Sequence, residues 1–149
     1  TSTKRKKEWV CTRALLKEIS GQSKIFYDSS GSPKIYEKFI SISHSKKIVA
    51  IILSDKNCAI DVQEISEKSK VLLSKFSNKK NLNKKESTKV WSTKECIFKL
   101  HKTKKINFKN DIAVETNNIQ KNNKVFAVYN NHTYTLNMFT FKKHIIVYL

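Results

Sequence analysis

The sequence predicts an α+β domain of antiparallel sheets and packed helices, and three observations support this. Helical periodicity marks Glu8–Ile19, Glu67–Phe76 and a stretch around Trp91–Leu100. Short β-branched or alternating runs read as strands before and after the last two of these. Helices and strands also come in blocks rather than in strict β-α-β alternation, which argues against a parallel sheet. At 149 residues the chain is expected to be one domain, 1–149, with a shorter first half to about residue 57 and a second half from about 58.

The elements follow in order. Thr1–Lys7 is a basic, frayed lead-in. Glu8–Ile19 is a helix with Trp9, Leu15, Leu16 and Ile19 as core candidates and Gly21 as its stop; Arg13 lies within it. Ser23–Tyr27 can form a short strand, and Asp28–Pro33 (DSSGSP) is the strongest turn cluster. Phe39–Ser45 (FISISHS) alternates strictly, with Ile40, Ile42 and His44 on one face and Phe39, Ser41, Ser43 and Ser45 on the other. His44 is open to two readings, a hydrogen-bonded core residue or a functional one. Lys47–Ser54 is a continuous apolar run and reads as a strand buried on both faces. Asp55–Asn57 turns into the strand Cys58–Gln63 (CAIDVQ). Asp61 sits in the middle of that strand, and a buried, unpaired carboxylate costs several kcal/mol. A cation, an arginine or a metal must compensate it. Gln63 points the same way two residues on.

Glu67–Phe76 is amphipathic, with Val71, Leu72, Leu73 and Phe76 inward, and Asn78–Lys85 reads as a mobile polar loop. The next helix, capped by Ser87 or Thr88, gathers Val90, Cys96, Ile97 and Leu100 on a core face. Trp91, Lys94, Glu95, Phe98 and Lys99 share the opposite face. Glu95 and Lys99 are four apart, so they form either a surface ion pair or a carboxylate and ammonium aimed into a phosphate or metal site. Ile106–Phe108, Ile112–Val114, Lys124–Tyr129, His132–Phe141 and His144–Tyr148 read as strands. Asn130 and Asn131 are the central residues of a hairpin turn, since asparagine tolerates positive φ.

Composition narrows the classes. No apolar run reaches the roughly 20 residues of a membrane helix, so no membrane is expected. Cys11, Cys58 and Cys96 fit no metal-ligand spacing and read as reduced, buried thiols of a cytoplasmic protein. The net charge of +18 admits a nucleic-acid reading. With only Arg5 and Arg13 as arginines, and no recognition module, that reading rests on charge alone. Repeats, glycine-rich phosphate loops, GxSxG elbows and CxxC pairs are absent from the sequence.

Four segments then stand in a particular order: a GSP turn, ISISHS, AIDVQ and, about 30 residues later, WSTKECIFK. The chain resembles the 4′-phosphopantetheinyl transferase superfamily, in its longer, pseudo-dimeric type. That family carries a G-K-P-like turn, I-S-x-S-H-S, G-I/V-D-I/V-E and W-S/T-x-K-E-A/S-x-x-K. EWVCTRALLKE is similar to its arginine-bearing helix, so the resemblance runs from Glu8 to Leu100. It implies a fold of two pseudo-symmetric halves, the first abbreviated. It also implies transfer of 4′-phosphopantetheine from coenzyme A to a serine hydroxyl of an acidic apo acyl-carrier protein, with release of 3′,5′-ADP.

Residue by residue, the resemblance implies Mg²⁺ held by Asp61 and Glu95, with Gln63 at the third ligand position, and Glu95 as general base. Lys94 and Lys99 would contact phosphates, as would Ser43 and His44. Arg13 would lie near the 3′-phosphate, and Gly31, Ser32 and Pro33 would cradle the adenine. Replacing Asp61 or Glu95 is expected to stop transfer while sparing the fold. The chain departs from the pattern at Gln63, where the family has an acid, at Ser32, where it has lysine, and at Ala59, where it has glycine. Cys96 stands where the family has a small residue. The family's first strands, upstream of the arginine helix, are missing, and Thr1 is not a methionine. A truncated or a minimal chain, completed in an oligomer, is therefore expected. The alternatives are a degenerate member that binds coenzyme A or carrier protein without turnover and, ranked lower, a basic nucleic-acid-binding protein.

Overall fold

In the computed structural model, which describes residues 2–102, 106–115 and 123–149, the chain is mixed α/β with antiparallel sheets and packed helices. The first helix, α1, spans Thr3–Ser20. It therefore takes in most of the expected lead-in; Thr1 itself lies outside the described residues. Ser2 caps it by accepting from the Arg5 amide, and Gly21, at φ +71°, closes it with a bond to the Lys17 carbonyl. Only Thr12 and Leu16 of α1 are buried. Trp9 and Ile19 are more than half exposed and Leu15 is exposed too, contrary to their expected place in the core. A two-stranded hairpin is too narrow to cover more than one stripe of the helix.

Asp28–Pro33 is the turn that its composition predicts. The Asp28 Oδ1 accepts from the Ser30 amide at 2.9 Å, the Ser30 hydroxyl at 2.6 Å and the Ser32 amide at 3.0 Å, and Gly31 adopts φ +81°. It joins a small ribbon of β1 (Phe26–Tyr27) and β2 (Pro33–Lys34). β3 (Phe39–Ser45) and β4 (Ile48–Ser54) form a separate antiparallel hairpin. Ile40 joins Leu16 and Ile25 in a small core under α1. Every residue of β4 is half-buried, so the expected burial on both faces is incomplete.

The second half is a five-stranded antiparallel sheet in the order β5-β9-β8-β7-β6, made of Ile60–Glu64, His144–Tyr148, His132–Phe141, Lys124–Tyr129 and Ile112–Val114. Asn130 and Asn131 both have positive φ, as the hairpin turn requires. Residues 106–108 do not form the expected strand. Asn107 and Asp111 close a turn there: the Asn107 Oδ1 accepts from the amides of Lys109 and Asn110, and the Asn107 amide donates to the Asp111 Oδ2.

The helix α4, Lys84–His101, packs on the sheet with ten buried residues. It starts earlier than expected because Asn83 and Glu86 make a capping box: the Asn83 Oδ1 accepts from the Lys85 and Glu86 amides, and the Glu86 carboxylate accepts from the Asn83 amide. Ser87 and Thr88 are interior instead, and the Thr88 hydroxyl bonds back to the Lys84 carbonyl at 2.7 Å. Both faces of α4 are covered. Val90, Cys96, Ile97 and Leu100 meet the sheet, while Trp91 and Phe98 pack around Phe108, with Phe76 edge-on to Trp91.

The expected single helix over 67–76 is two short ones, α2 (Glu67–Val71) and α3 (Leu73–Phe76). Three consecutive apolar residues cannot all face inward from one helix. Breaking at Leu72 buries Leu73 and Phe76 and leaves Val71 exposed, against expectation. Among the described residues no helix is long and apolar enough to cross a membrane.

Candidate active site

The two halves meet along a row of serines. The N–H groups of Ile60, Val62 and Glu64, on the free edge of β5, donate to the hydroxyls of Ser41 (3.1 Å), Ser43 (3.0 Å) and Ser45 (3.2 Å) of β3. The serine face of FISISHS is thus turned to β5, because buried amides need acceptors, while Ile40 on the opposite face is buried under α1. His44 shares the face of Ile40 and is half exposed, with its Nδ1 3.6 Å from Glu8 of α1.

Asp61 lies at the centre of this seam, with its side chain 2% exposed. Its Oδ1 accepts from the Ser43 hydroxyl at 3.1 Å and the Lys99 ammonium at 2.8 Å. Its Oδ2 accepts from the Ser92 hydroxyl at 2.9 Å. The compensation a buried aspartate needs is therefore present within the chain. The single proton of Ser43 is committed to Asp61 while its oxygen takes the Val62 amide. Its hydroxyl positions the carboxylate and has no proton left for a phosphate, which corrects the expected role. Lys99 also donates to the Ile60 carbonyl at 3.0 Å, tying α4 to β5.

Glu95 is one helical turn before Lys99 and comes to Asp61 without bonding to it. Among the described residues it has neither a hydrogen bond nor an ion pair, so the i,i+4 surface pair with Lys99 does not form. Burial pushes its carboxyl up to about 7, the Asp61 charge adds to this, and Lys99 pulls the other way. Lys94 departs furthest from expectation. It is buried, and its ammonium donates to the carbonyls of Phe108 and Ile112, clamping the turn to the sheet edge and not reaching a phosphate. Burial lowers it to about 8. Burial also pushes up the thiol of Cys96. Cys58 is likewise buried, whereas Cys11 is exposed, against expectation.

A cavity of about 700 Å³ opens at the Gln63 end of β5, lined by His44, Lys46, Gln63, Glu64, Lys68 and Trp91, among others; Asp61, Glu95 and Lys99 do not line it. Gln63 is two residues along β5 from Asp61, and Trp91 one turn from Glu95. Arg13 does not line this cavity; its guanidinium lies 3.7 Å from the centre of the Trp9 ring. Gly31, Ser32 and Pro33 are at the other end of β5. Lys102 there feels the charges of Lys34, Asp28 and Cys58. Five residues of strand, roughly 16 Å, separate Cys58 from Gln63.

The donor chemistry suits a divalent cation. Asp61 Oδ2 keeps a lone pair after Ser92, Glu95 is unpartnered, and Gln63 adds an amide oxygen. These are hard ligands, and the like-charge pressure on Glu95 is what a dication would relieve. Among the described residues no cluster of three or more His, Cys, Asp or Glu is gathered for a metal.

The sequence reading passed over Ser92. A serine in a helix interior ordinarily bonds back to the carbonyl four residues earlier, as Thr88 and Thr93 do here. Ser92, fully buried, donates to Asp61 instead. Ser92→Ala is expected to cost about 1.5–3 kcal/mol, the range for a hydrogen bond to a charged group. Ser92→Thr should recover part of that loss. Urea midpoints measure both, and an unchanged midpoint in the alanine variant would remove Ser92 from the set that holds Asp61.

A mixed α/β chain with a carboxylate–ammonium centre at the seam between its β3–β4 hairpin and its five-stranded sheet is the class that fold and site define. Comparison with protein families gives no match, and comparison with curated proteins gives none.

Proposed function

We propose that this chain transfers 4′-phosphopantetheine from coenzyme A to a serine hydroxyl of an acidic apo acyl-carrier protein. The observation that carries this reading is a convergence: Ser43 from ISISHS, Asp61 from AIDVQ, and Glu95 and Lys99 from WSTKECIFK meet around one carboxylate, although 56 positions separate the first from the last. Each half contributes a helix on antiparallel strands, α1 on β4 and α4 on the larger sheet, in keeping with an abbreviated pseudo-dimer.

Asp61, Glu95 and Gln63 would hold Mg²⁺, which when bound would neutralise pyrophosphate charge. Glu95, at about 7, is suited to take the proton of the incoming serine hydroxyl at neutral pH. Lys99 bonds Asp61 at 2.8 Å and balances its charge. His44 and Lys68 line the cavity at the Gln63 end of β5 as groups for phosphates, beside the Lys46–Glu64 ion pair at 2.6 Å. The +18 net charge steers an acidic carrier protein.

The test is the intact mass of an apo carrier protein after incubation with the chain, coenzyme A and Mg²⁺. The expected result is the addition of one phosphopantetheine, lost with chelator. One observation favours a second reading, binding without turnover: Lys99 already neutralises Asp61, and Gln63 brings no charge. In that case the carrier mass stays unchanged while coenzyme A binds, and Gln63→Glu strengthens Mg²⁺ binding. If coenzyme A does not bind at all, both readings fail.

A further inference from the structure

Among the described residues, strand β4 pairs with β3 on one side only. Leu16 of α1 and its neighbours pack on Ile51 and Leu53, while Ile60, Val62 and Ile146 pack on Ile48, Ala50 and Ile52. Both faces of β4 are therefore covered, yet all seven residues stay half-buried whichever way they point. Exposure shared by both side-chain directions comes from an open edge. Within Ile48–Ser54 there is no charge, proline or glycine, the devices that commonly protect an edge.

We propose that this edge pairs antiparallel with β4 of a second copy of the chain, across a two-fold axis at Ile51. The register that pairs all seven residues also sets Lys47 of each copy opposite Asp55 of the other. Lys47 is exposed and makes no ion pair among the described residues. Asp55 is 82% exposed despite its contact with Lys38. A slip of register loses both the full pairing and the charge match. Past β4, the same face of the large sheet continues onto Phe139 and Phe141, 41% and 48% exposed, which a second copy can cover. Two copies of a +18 chain repel, so association strengthens as salt is added.

Sedimentation of the intact chain over a range of concentration should show its mass doubling, at lower concentration in high salt than in low. Disulfide trapping locates the contact. In a Cys11→Ser background the remaining native thiols are buried, and positions 47 and 55 are exposed, so cysteines there spare the fold. Lys47→Cys and Asp55→Cys chains oxidised together should form a linked heterodimer. Neither should link to itself, since like positions lie roughly 26 Å apart along the paired strands. A chain that stays monomeric at every concentration and salt overturns the assignment, as does a dimer in which the mixed link fails to form.

Discussion

Asp61→Ala lowers stability by about 3–5 kcal/mol, the cost of breaking a buried ion pair from one side. At roughly 2–4 °C per kcal/mol for a chain of this size, the thermal midpoint falls by about 10 °C. The alanine leaves the Ser43 and Ser92 hydroxyls without their acceptor and the Lys99 ammonium facing a buried seam. The Lys99 side chain is 27% exposed and can turn partly to water, which places the loss toward the lower end of that range. Lys99→Met leaves the opposite defect, a buried carboxylate held by two serines alone. The double variant removes both charges, so it should cost clearly less than the sum of the singles, a coupling read directly by a double-mutant cycle. Additive losses, or an Asp61→Ala midpoint within a degree of the parent, would mean that the pair does not join the halves. Sequence reasoning expected this substitution to spare the fold, because it took Asp61 as a metal ligand alone. The structure makes Asp61 a structural centre first.

That difference shows where the sequence was legible. Alternation and turn chemistry are local, so β3, β6, β7, β8 and β9 and the Asn130–Asn131 turn stand where the pattern puts them. Asp61 stood out because a carboxylate among apolar strand residues has to be compensated whatever the fold. The identity of its partner was not legible: Lys99 is 38 positions away and Ser92 31, and each could equally have faced solvent. The second buried face of FISISHS was not legible for the same reason. Ile40 and Ile42 do pack inward, under α1, but Ser41, Ser43 and Ser45 are turned inward too because the edge of β5 needs three acceptors. Lys94 sits beside Glu95 in the motif, yet one residue of helix turns it by 100° toward the carbonyls of Phe108 and Ile112. Spacing gave its neighbours and not its direction.

Glu95→Gln should act in the opposite sense to Asp61→Ala, removing transfer while raising stability above neutral pH. The Glu95 carboxyl is held at about 7 in the folded chain against an ordinary 4.5, so the folded state binds this proton more tightly than the unfolded state. The stabilisation from that proton is fully present below about 4.5. It is lost progressively as pH rises towards 7 and stays absent above it. At about 1.4 kcal/mol per unit, the wild-type chain should give up roughly 3 kcal/mol across that window through this group, and the glutamine variant none. The difference between their unfolding free energies should therefore grow with pH from 4.5 to 7 and be flat beyond 8, with the variant the more stable. Mg²⁺ sharpens the test: if Asp61 and Glu95 hold it as proposed, it should raise the wild-type midpoint at pH 8 by mass action and leave the variant unmoved. A difference independent of pH, or a variant less stable at pH 8, would show that Glu95 is compensated by a group of the chain. Asp61 and Glu95 then separate by sign: one carboxylate is bonded on both oxygens and holds the halves together, and the other, unpartnered among the described residues, costs stability when it ionises.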